Sequence, residues 1–336
     1  MVYRPAAGDR RSLLKHGSGR SGGWPAQVGW WRPEFQLGVG CLMMLLLSGC
    51  SIRQLAVNSL ANALASGTSS VFTTDDDPEL VGEALPFAIK TLEALAGEAP
   101  ENVGLLIATC QGFLLYSTGY VDYEADRIEL TSYREAERQR QRALKLYQRA
   151  RGYCVRALEL EYPGAEQALI RTPEEALADA RVEDIKLFYW TAGAWGSVIA
   201  SGLDRPELLA DLPAVQRLLQ RALELDPDFD RGALHEAMMR VEIASVPSGS
   251  GSLDRARQHY ERALELNGGQ RASLFLAWAE AVSVQEQDRE QFEQLLQRAL
   301  AVDVEGVNSV PGDRLLNIIS QQRAQWLLDQ VDELFL

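Results

Sequence analysis

The sequence predicts an all-α protein of stacked antiparallel helix hairpins, closed at its end by a long C-terminal capping helix. Three observations carry this prediction. An Arg-Ala-Leu core recurs near the ends of four amphipathic segments. The spacing between the later copies matches that of helix-hairpin repeats. Apolar residues elsewhere recur with helical periodicity, and no segment shows convincing strand alternation.

The Arg-Ala-Leu copies stand in VRALELEYP, QRALELDPDF, ERALELNGG and QRALAVDVE, whose core arginines are Arg156, Arg221, Arg262 and Arg298. The intervals between these arginines are 65, 41 and 36 residues. The last two are close to the ~34 residues of a tetratricopeptide unit and the ~40 of related repeats. The first interval leaves room for a loop and a further helix pair. We therefore expect divergent repeats of tetratricopeptide type.

A small alanine beside a large leucine at a helix end is what close helix–helix packing requires. The predicted repeat-packing residues are Ala157, Ala222, Pro227, Ala263 and Ala299.

The N-terminal region contains an apolar run, Leu37–Leu47, of signal-peptide length and too short to span a bilayer. Arg32 precedes this run, and Leu47-Ser48-Gly49-Cys50 follows it. The tetrapeptide resembles the lipobox of bacterial lipoproteins, in which the cysteine is acylated and the chain is cut just before it. The resemblance implies that residues 1–49 are a signal peptide and that Cys50 is the lipid attachment site.

The region before the apolar run is longer than that of an ordinary signal peptide, which has ~15–30 residues in all. A start codon assigned too far upstream is the simplest interpretation, and a real extension is the alternative. Ser51 follows the cysteine where an aspartate would favour inner-membrane retention. By this resemblance the expected location is the periplasm, lipid-anchored at the inner leaflet of the outer membrane.

Residues 50–77 are expected to hold the anchor, a first helix over Ile52–Leu64 and a polar tether. The helical-repeat domain is then 78–336. Asp77-Pro78 is a helix-starting pair, so a helix is expected over Pro78–Leu95. Val103–Val121 is strongly apolar, but its Gln111 and its glycines favour a helix buried in a bundle over a membrane span.

Ser132–Glu161 is the expected partner of that buried helix, and Ser132 with Glu135 forms a capping-box pattern. A loop is predicted over Pro163–Asp184, with a short helix start at Pro173. The remaining predicted helices are Asp184–Gly202, Pro213–Asp226, Arg231–Ser245, Leu253–Leu266, Gln270–Gln285, Glu290–Val302 and the C-terminal Asp313–Phe335.

The chain is acidic, with 33 Lys+Arg against 47 Asp+Glu and a net charge of −14. This excess argues against nucleic acid as a partner. Histidine is scarce, at three residues, and no carboxylate–histidine cluster is apparent, so we expect no metal site and no cofactor.

Two cysteines, Cys110 and Cys154, fall on the apolar faces of successive predicted helices. An oxidising compartment would permit a disulfide between them. The two are level in an antiparallel hairpin only if its turn centres near residue 132, whereas the predicted turn centres near 128. This offset favours free buried thiols, and the pairing stays open.

No nucleophile elbow, phosphate loop, CxxC or HExxH motif occurs, so an enzyme is not expected. Two predicted helices are instead rich in aromatic residues and glycine. Tyr and Trp offer apolar area with a polar tip, which suits the wall of a pocket or pore for an amphipathic ligand, although ordinary helix–helix core is the alternative. The candidate ligand or pore residues are Tyr116, Tyr120, Tyr189, Trp190 and Trp195.

Five stretches together resemble one family, the T component of TRAP (tripartite ATP-independent periplasmic) transporters, a TatT-like lipoprotein. They are YSTGYVDYEAD from Tyr116, FYWTAGAWGSVI from Phe188, RALELDPDFDRGALHE from Arg221, AEAVSVQEQDREQFEQLLQRALAVD from Ala279 and the tail from Arg314 to Leu336. The resemblance implies a homotrimer with a pore-like cavity and a stoichiometric complex with the transporter's periplasmic substrate-binding protein. It also implies that a small hydrophobic ligand passes through the cavity, without catalysis.

Two functions therefore follow from the sequence. The first is a lipid-anchored accessory protein that docks a TRAP substrate-binding protein and relays a ligand. The alternative is a tetratricopeptide lipoprotein that serves as a scaffold for outer-membrane or cell-wall assembly.

Overall fold

The computed structural model describes residue 59 and residues 71–202, 205–246 and 251–335. Its contacts divide the chain after Ile52, and the features below belong to the second unit, Arg53–Leu336. The predicted signal peptide, Cys50 and nearly all of the predicted first helix lie outside the described residues. Within them the secondary structure is helical with no strand, which confirms the all-α class.

The α-helices, in chain order, are α1 Pro78–Glu98, α2 Val103–Tyr116, α3 Tyr123–Ile128, α4 Tyr133–Glu161, α5 Ala165–Arg171, α6 Ile185–Ala200, α7 Pro206–Leu209, α8 Leu212–Leu225, α9 Phe229–Ser245, α10 Leu253–Asn267, α11 Ala272–Trp278, α12 Arg289–Leu300, α13 Arg314–Asp329 and α14 Val331–Leu334. Two π-helical segments, Ser117–Asp122 and Ala279–Ser283, continue α2 and α11.

Side-chain caps define several helix starts. Asp77 accepts a hydrogen bond from the Leu80 amide at 3.0 Å, as its position before Pro78 predicts. Ser132 makes no such bond, so the predicted capping box is wrong. The reason is that Glu135, its expected partner, forms an ion pair with Arg138 instead.

Successive long helices pack on one another along the chain. Helix α2 packs on α4, α4 on α6, and α6 on α8; further on, α9 packs on α10 and α11 on α12. In the α2–α4 pair the later helix runs back along the earlier one, because Cys110 meets Cys154 while Pro100, just before α2, meets Arg156 near the end of α4.

Two of the four Arg-Ala-Leu arginines bind backbone carbonyls just ahead of a neighbouring helix. Arg156 at the end of α4 donates to the Pro100 carbonyl, just before α2, at 2.7 Å. Arg221 in α8 donates to the Leu177 carbonyl in the loop before α6 at 3.1 Å. Each arginine therefore links the end of its helix to the loop that precedes a helix packed near it.

The motif alanines Ala157, Ala222, Ala263 and Ala299 have no exposed surface, whereas Pro227 is exposed in the turn after α8. At Ala263 the backbones of α9 and α10 approach closely. A Cβ added to Gly232, which has φ +91°, would lie 2.9 Å from the Ala263 Cα atom. Only glycine fits at that position.

Cys110 and Cys154 form a disulfide that joins α2 to α4, with their Cα atoms 5.6 Å apart. The predicted offset between the two cysteines is wrong because the first helix does not end at Val121. It continues through the π-helical segment and α3 to Ile128, so the turn lies at residues 129–132 and the cysteines are level.

Two further boundaries differ from the prediction. Part of the predicted loop after Tyr162 is a helix, α5. The single C-terminal helix is broken at Gln330, which separates α13 from α14. Helix α13 does more than cap α11 and α12, because its Leu315 is fully buried with Val81 and Leu85 of α1.

Candidate functional site

The five candidate aromatic residues lie on two neighbouring segments. Tyr116 ends α2 and Tyr120 lies in the π-helical segment that follows, while Tyr189, Trp190 and Trp195 lie on α6. Four of the side chains are half-buried, and Trp195 is 1% exposed.

Tyr116, Tyr120 and Trp190 pack against one core cluster that also contains the disulfide. The rings of Tyr116 and Tyr120 are stacked with their centroids 6.0 Å apart. The Tyr120 hydroxyl is buried and has no hydrogen-bond partner among the residues that the structure describes. Burial, and then the nearby Asp75 and Asp77, raise its pKa to about 12, so the phenol stays neutral.

Tyr189 joins this group through its neighbour, because its ring meets the edge of Trp190 at a centroid distance of 5.0 Å. Its other side contacts Phe229 at 6.0 Å. Desolvation, and secondarily the charge of Glu236, raise the Tyr189 pKa to about 12. The structure thus brings four of the five candidate rings into one contiguous group, here called the aromatic cluster: Tyr116, Tyr120, Tyr189 and Trp190.

Trp195 lies five residues after Trp190, roughly 140° around the helix, and faces a different space. It lines a partly open cavity of about 300 Å³. The lining residues are Gln148, Arg151, Trp195, Val198, Ile199, Leu208 and Asp211. The four rings of the aromatic cluster are not among them.

The indole of Trp195 is fixed on two sides. Its Nε1–H donates to Asp211 Oδ2 at 3.0 Å. The Arg151 guanidinium lies over its ring, 4.1 Å from the centroid, and also donates to Glu166 at 2.7 Å. The indole is therefore held rigidly, with a cation on its face and an anion at its edge.

The cavity lining combines the apolar side chains of Val198, Ile199 and Leu208 with the polar side chains of Gln148, Arg151 and Asp211. Ligand pockets have volumes from ~300 Å³ upward, so this space suits a small molecule. The mixture of apolar and polar lining suits an amphipathic one.

Sequence reasoning identified Trp195 but missed Arg151 and Asp211. A signal for Arg151 was present, because it continues the apolar positions Leu144, Tyr147, Cys154 and Leu158 at helical spacing. An arginine in an apolar row either pairs internally or lines a site. Asp211 carries no comparable signal, since an acidic residue just before a helix is an ordinary start.

The two histidines of the described chain face each other from α9 and α10, with His235 Nδ1 and His259 Nδ1 2.8 Å apart. Within the described residues, no three His, Cys, Asp or Glu side chains are grouped so that they could hold a metal ion. In the same part of the chain, none of the helices combines the length and apolarity that a membrane crossing needs.

Comparison with known proteins places these features in a family. An uncharacterized protein of Treponema pallidum (strain Nichols) is 29% identical over 309 residues, covering 87% of this chain and 95% of the relative. The family model described as TRAP transporter T-component matches residues 74–335, which include the disulfide, the aromatic cluster and the Trp195 cavity. The match spans well over half of the sequence, and the chain therefore belongs to the TRAP transporter T-component family.

Proposed function

We propose that this protein is a lipid-anchored periplasmic accessory protein of a TRAP transporter, which docks the substrate-binding protein and relays a small hydrophobic ligand to it. The observation that carries the accessory role is the family match over residues 74–335. A body of paired helices with rigid packing offers a stable surface for a partner, as helical-repeat proteins do.

The ligand step is assigned to the Trp195 cavity. The side chains of Val198, Ile199 and Leu208 would contact the apolar part of the ligand. Arg151 and Asp211 would orient its polar end. Because the indole is already held by Arg151 and Asp211, little side-chain ordering is needed when a ligand enters. The aromatic cluster is the second candidate segment of the ligand path.

The remaining parts of the proposal come from the sequence. Acylation at Cys50 would hold the helical body at the inner leaflet of the outer membrane. A single lipid chain binds membranes only marginally, so stable anchoring requires the multiple chains that lipoproteins carry. The helix pairs would be divergent tetratricopeptide-type repeats, and the protein would assemble as a homotrimer.

Native mass spectrometry of the gently purified full chain tests the proposal, because it reports oligomer, retained ligand and partner together. We expect a trimer that carries a small-molecule adduct and binds the TRAP substrate-binding protein of the same genome. Leu208→Trp fills the cavity and should remove the adduct while leaving the partner bound. Val307→Trp, at a position that is 99% exposed and outside both the cavity and α4, is the control and should keep the adduct.

An adduct of unchanged occupancy in Leu208→Trp would exclude the cavity as the ligand site. A wild-type spectrum with no binding protein, under conditions in which both proteins are folded, would contradict the docking role. Retention of an envelope-assembly protein in its place would support the scaffold alternative.

A further inference from the structure

Helix α4 carries a row of cations along one exposed face. These residues, here called the basic stripe, are Arg134, Arg138, Arg142, Lys145, Arg149 and Arg156. Their spacing places them within roughly 80° of the helix circumference and along ~33 Å of its length. All six are exposed. The stripe stands out because the chain as a whole has a net charge of −14.

Carboxylates of the described chain leave most of the basic stripe unneutralised. Arg138 forms an ion pair with Glu135, but the structure gives no ion pair to the other five cations within the residues it describes. Elsewhere, arginines form ion pairs with carboxylates of the same helix, as Arg240 does with Glu236 and Arg289 does with Glu293.

Several cations of the stripe are held in place by neutral groups. Arg142 lies over the Tyr116 ring, 5.5 Å from its centroid, and donates to its hydroxyl at 3.0 Å. Arg149 lies over the Phe113 ring at 5.9 Å. Such contacts position a guanidinium without neutralising it, so its charge remains available to a partner.

A shallow groove of about 370 Å³ runs along the stripe, lined by Glu137, Arg138, Gln141, Arg142 and Lys145. Two apolar side chains stand at the N-terminal end of α4, where Leu130 is 72% and Tyr133 is 65% exposed. Exposed tyrosines beside arginines are the residue types that most often anchor protein interfaces.

We propose that the basic stripe is a docking surface for an acidic face of a protein, and that this protein is the substrate-binding protein. The second half of this inference rests on the proposed function. The basic stripe is narrow and has two exposed apolar side chains at one end, which fits the compact face of a protein. An anionic membrane plane fits less well, because it would extend beyond the stripe to the acidic remainder of the surface. The stripe also overlies the aromatic cluster through Tyr116, which would bring the partner close to the second candidate segment of the ligand path.

The test uses two double variants with the same change in net charge. Arg134→Glu with Lys145→Glu reverses two stripe residues that have no ion-pair partner in the described chain. Arg171→Glu with Lys186→Glu reverses one exposed arginine and one exposed lysine outside the stripe. Binding of the substrate-binding protein of the same genome to each full chain is measured by calorimetry at low and high salt.

We expect the stripe variant to raise the Kd at low salt by at least about tenfold and the control variant to change it by about twofold or less. Wild-type affinity should fall steeply with salt, and that of the stripe variant only weakly. If both variants weaken binding equally, or if neither weakens it, the stripe is not the docking surface. The proposed docking function would stand in either case.

Two further outcomes are distinguishable. If the wild-type chain does not bind the substrate-binding protein even at low salt, the proposed function fails and this inference fails with it. If stripe-dependent binding is seen to phosphatidylglycerol–phosphatidylethanolamine vesicles and not to that protein, the stripe is a lipid contact and the proposal is overturned.

Discussion

Gly232 shows how one residue sets the approach of two helices. It has φ +91°, and a Cβ there would lie 2.9 Å from Ala263 Cα and 3.2 Å from the Ala263 carbonyl oxygen. We expect Gly232→Ala to lower the free energy of unfolding by about 2–3 kcal/mol. The alanine would have to adopt a strained positive φ, and its Cβ would clash with the backbone of Ala263. Urea denaturation measures the loss.

Gly152 provides the matched control for that substitution. It lies on the exposed face of α4, and an added Cβ would meet nothing within 4 Å. Gly152→Ala should therefore stabilise the protein by about 0.5–1 kcal/mol, as alanine does in an open helix position. Equal effects at the two glycines would contradict the close approach of α9 and α10.

The pair of His235 and His259 makes the stability of the fold depend on pH. Burial lowers the pKa of His259 to about 4, helped by the neighbouring His235, and burial also lowers the pKa of His235. Charged groups around the pair are Arg262, Asp228, Glu242 and Arg255. The fold therefore favours neutral rings, and one ring must accept the Nδ1 hydrogen bond from the other.

Because the folded pKa of His259 is below its unfolded value, its stabilising contribution is fully present above pH ~6.5 and is lost as the pH falls toward 4. We expect the free energy of unfolding to fall by about 1–2 kcal/mol between pH 7 and pH 5 from this site. Urea midpoints across that range measure it. His259→Gln should flatten the decrease, and an unchanged slope in that variant would rule out the pair as its source.

At the level of the helices, Arg221 of the Arg-Ala-Leu motif binds the loop that precedes α6. Arg221 donates to three carbonyl oxygens, those of Leu177, Ala178 and Ala180. Leu177 has φ +64°, which a leucine adopts only at a cost. The hydrogen bonds from Arg221 thus stabilise a loop conformation that the positive φ of Leu177 disfavours.

We expect Arg221→Ala to lower the free energy of unfolding by about 2–3 kcal/mol, because three carbonyls lose a charged donor and two of them belong to the buried residues Leu177 and Ala180. Protease cleavage within residues 173–180 should also become faster. Arg171→Ala on the exposed face of α5 is the control and should change stability by less than about 0.5 kcal/mol. Cleavage at the wild-type rate in Arg221→Ala would contradict this role for the arginine.

The disulfide acts between elements. It links α2 to α4 across 44 residues. Closing a loop of this length stabilises a fold by ~4 kcal/mol in the chain-entropy model, and measured values are commonly ~2–4 kcal/mol. Paired Cys110→Ala and Cys154→Ala substitutions should therefore lower the free energy of unfolding by about 2–4 kcal/mol.

Urea denaturation with and without a reductant tests the bond independently. The wild-type chain should lose stability in the reductant, and the double alanine variant should not respond. A wild-type chain with the same urea midpoint in both conditions would show that the cysteines are unpaired in solution.

The sequence predicted the elements best where a periodic apolar face was bounded by clear start and stop residues. Helix α10 illustrates this, because Ser252 caps it and Gly268 ends it with φ +62°. The extension of α2 to Ile128 was missed because the strongly apolar run ends at Val121, whereas the helix continues through a π-helical segment into the polar residues of α3. That single boundary also decided the cysteine register.

The candidate site was predictable only in part. Trp195 was identifiable because aromatic and glycine residues concentrate on α6. The cavity itself depends on Arg151 from α4 and Asp211 from before α8, which pack together only through the order of the helices. No local pattern encodes that order, so the separation of Trp195 from the other four rings could not be foreseen.

At the scale of the whole molecule, the described unit is held together by more than contacts between successive helices. Arg314 at the start of α13 donates to Asp76 at 2.8 Å, and Arg323 donates to Asp126, 197 residues away, also at 2.8 Å. The C-terminal helix thus contacts the first part of the described unit. A simple linear array would contact only neighbours, so we expect the body to unfold as one cooperative unit.

The basic stripe and the Trp195 cavity are the two features to which we assign partner docking and ligand binding. The central claim is that this partner is the substrate-binding protein of a TRAP transporter.

Chemical crosslinking in living cells that produce both proteins, followed by mass spectrometry of the products, tests that claim most directly. We expect abundant crosslinks between this chain and the TRAP substrate-binding protein, with α4 among the linked segments. Crosslinks that join this chain only to itself or to unrelated envelope proteins, while the binding protein is present at comparable abundance, would contradict it.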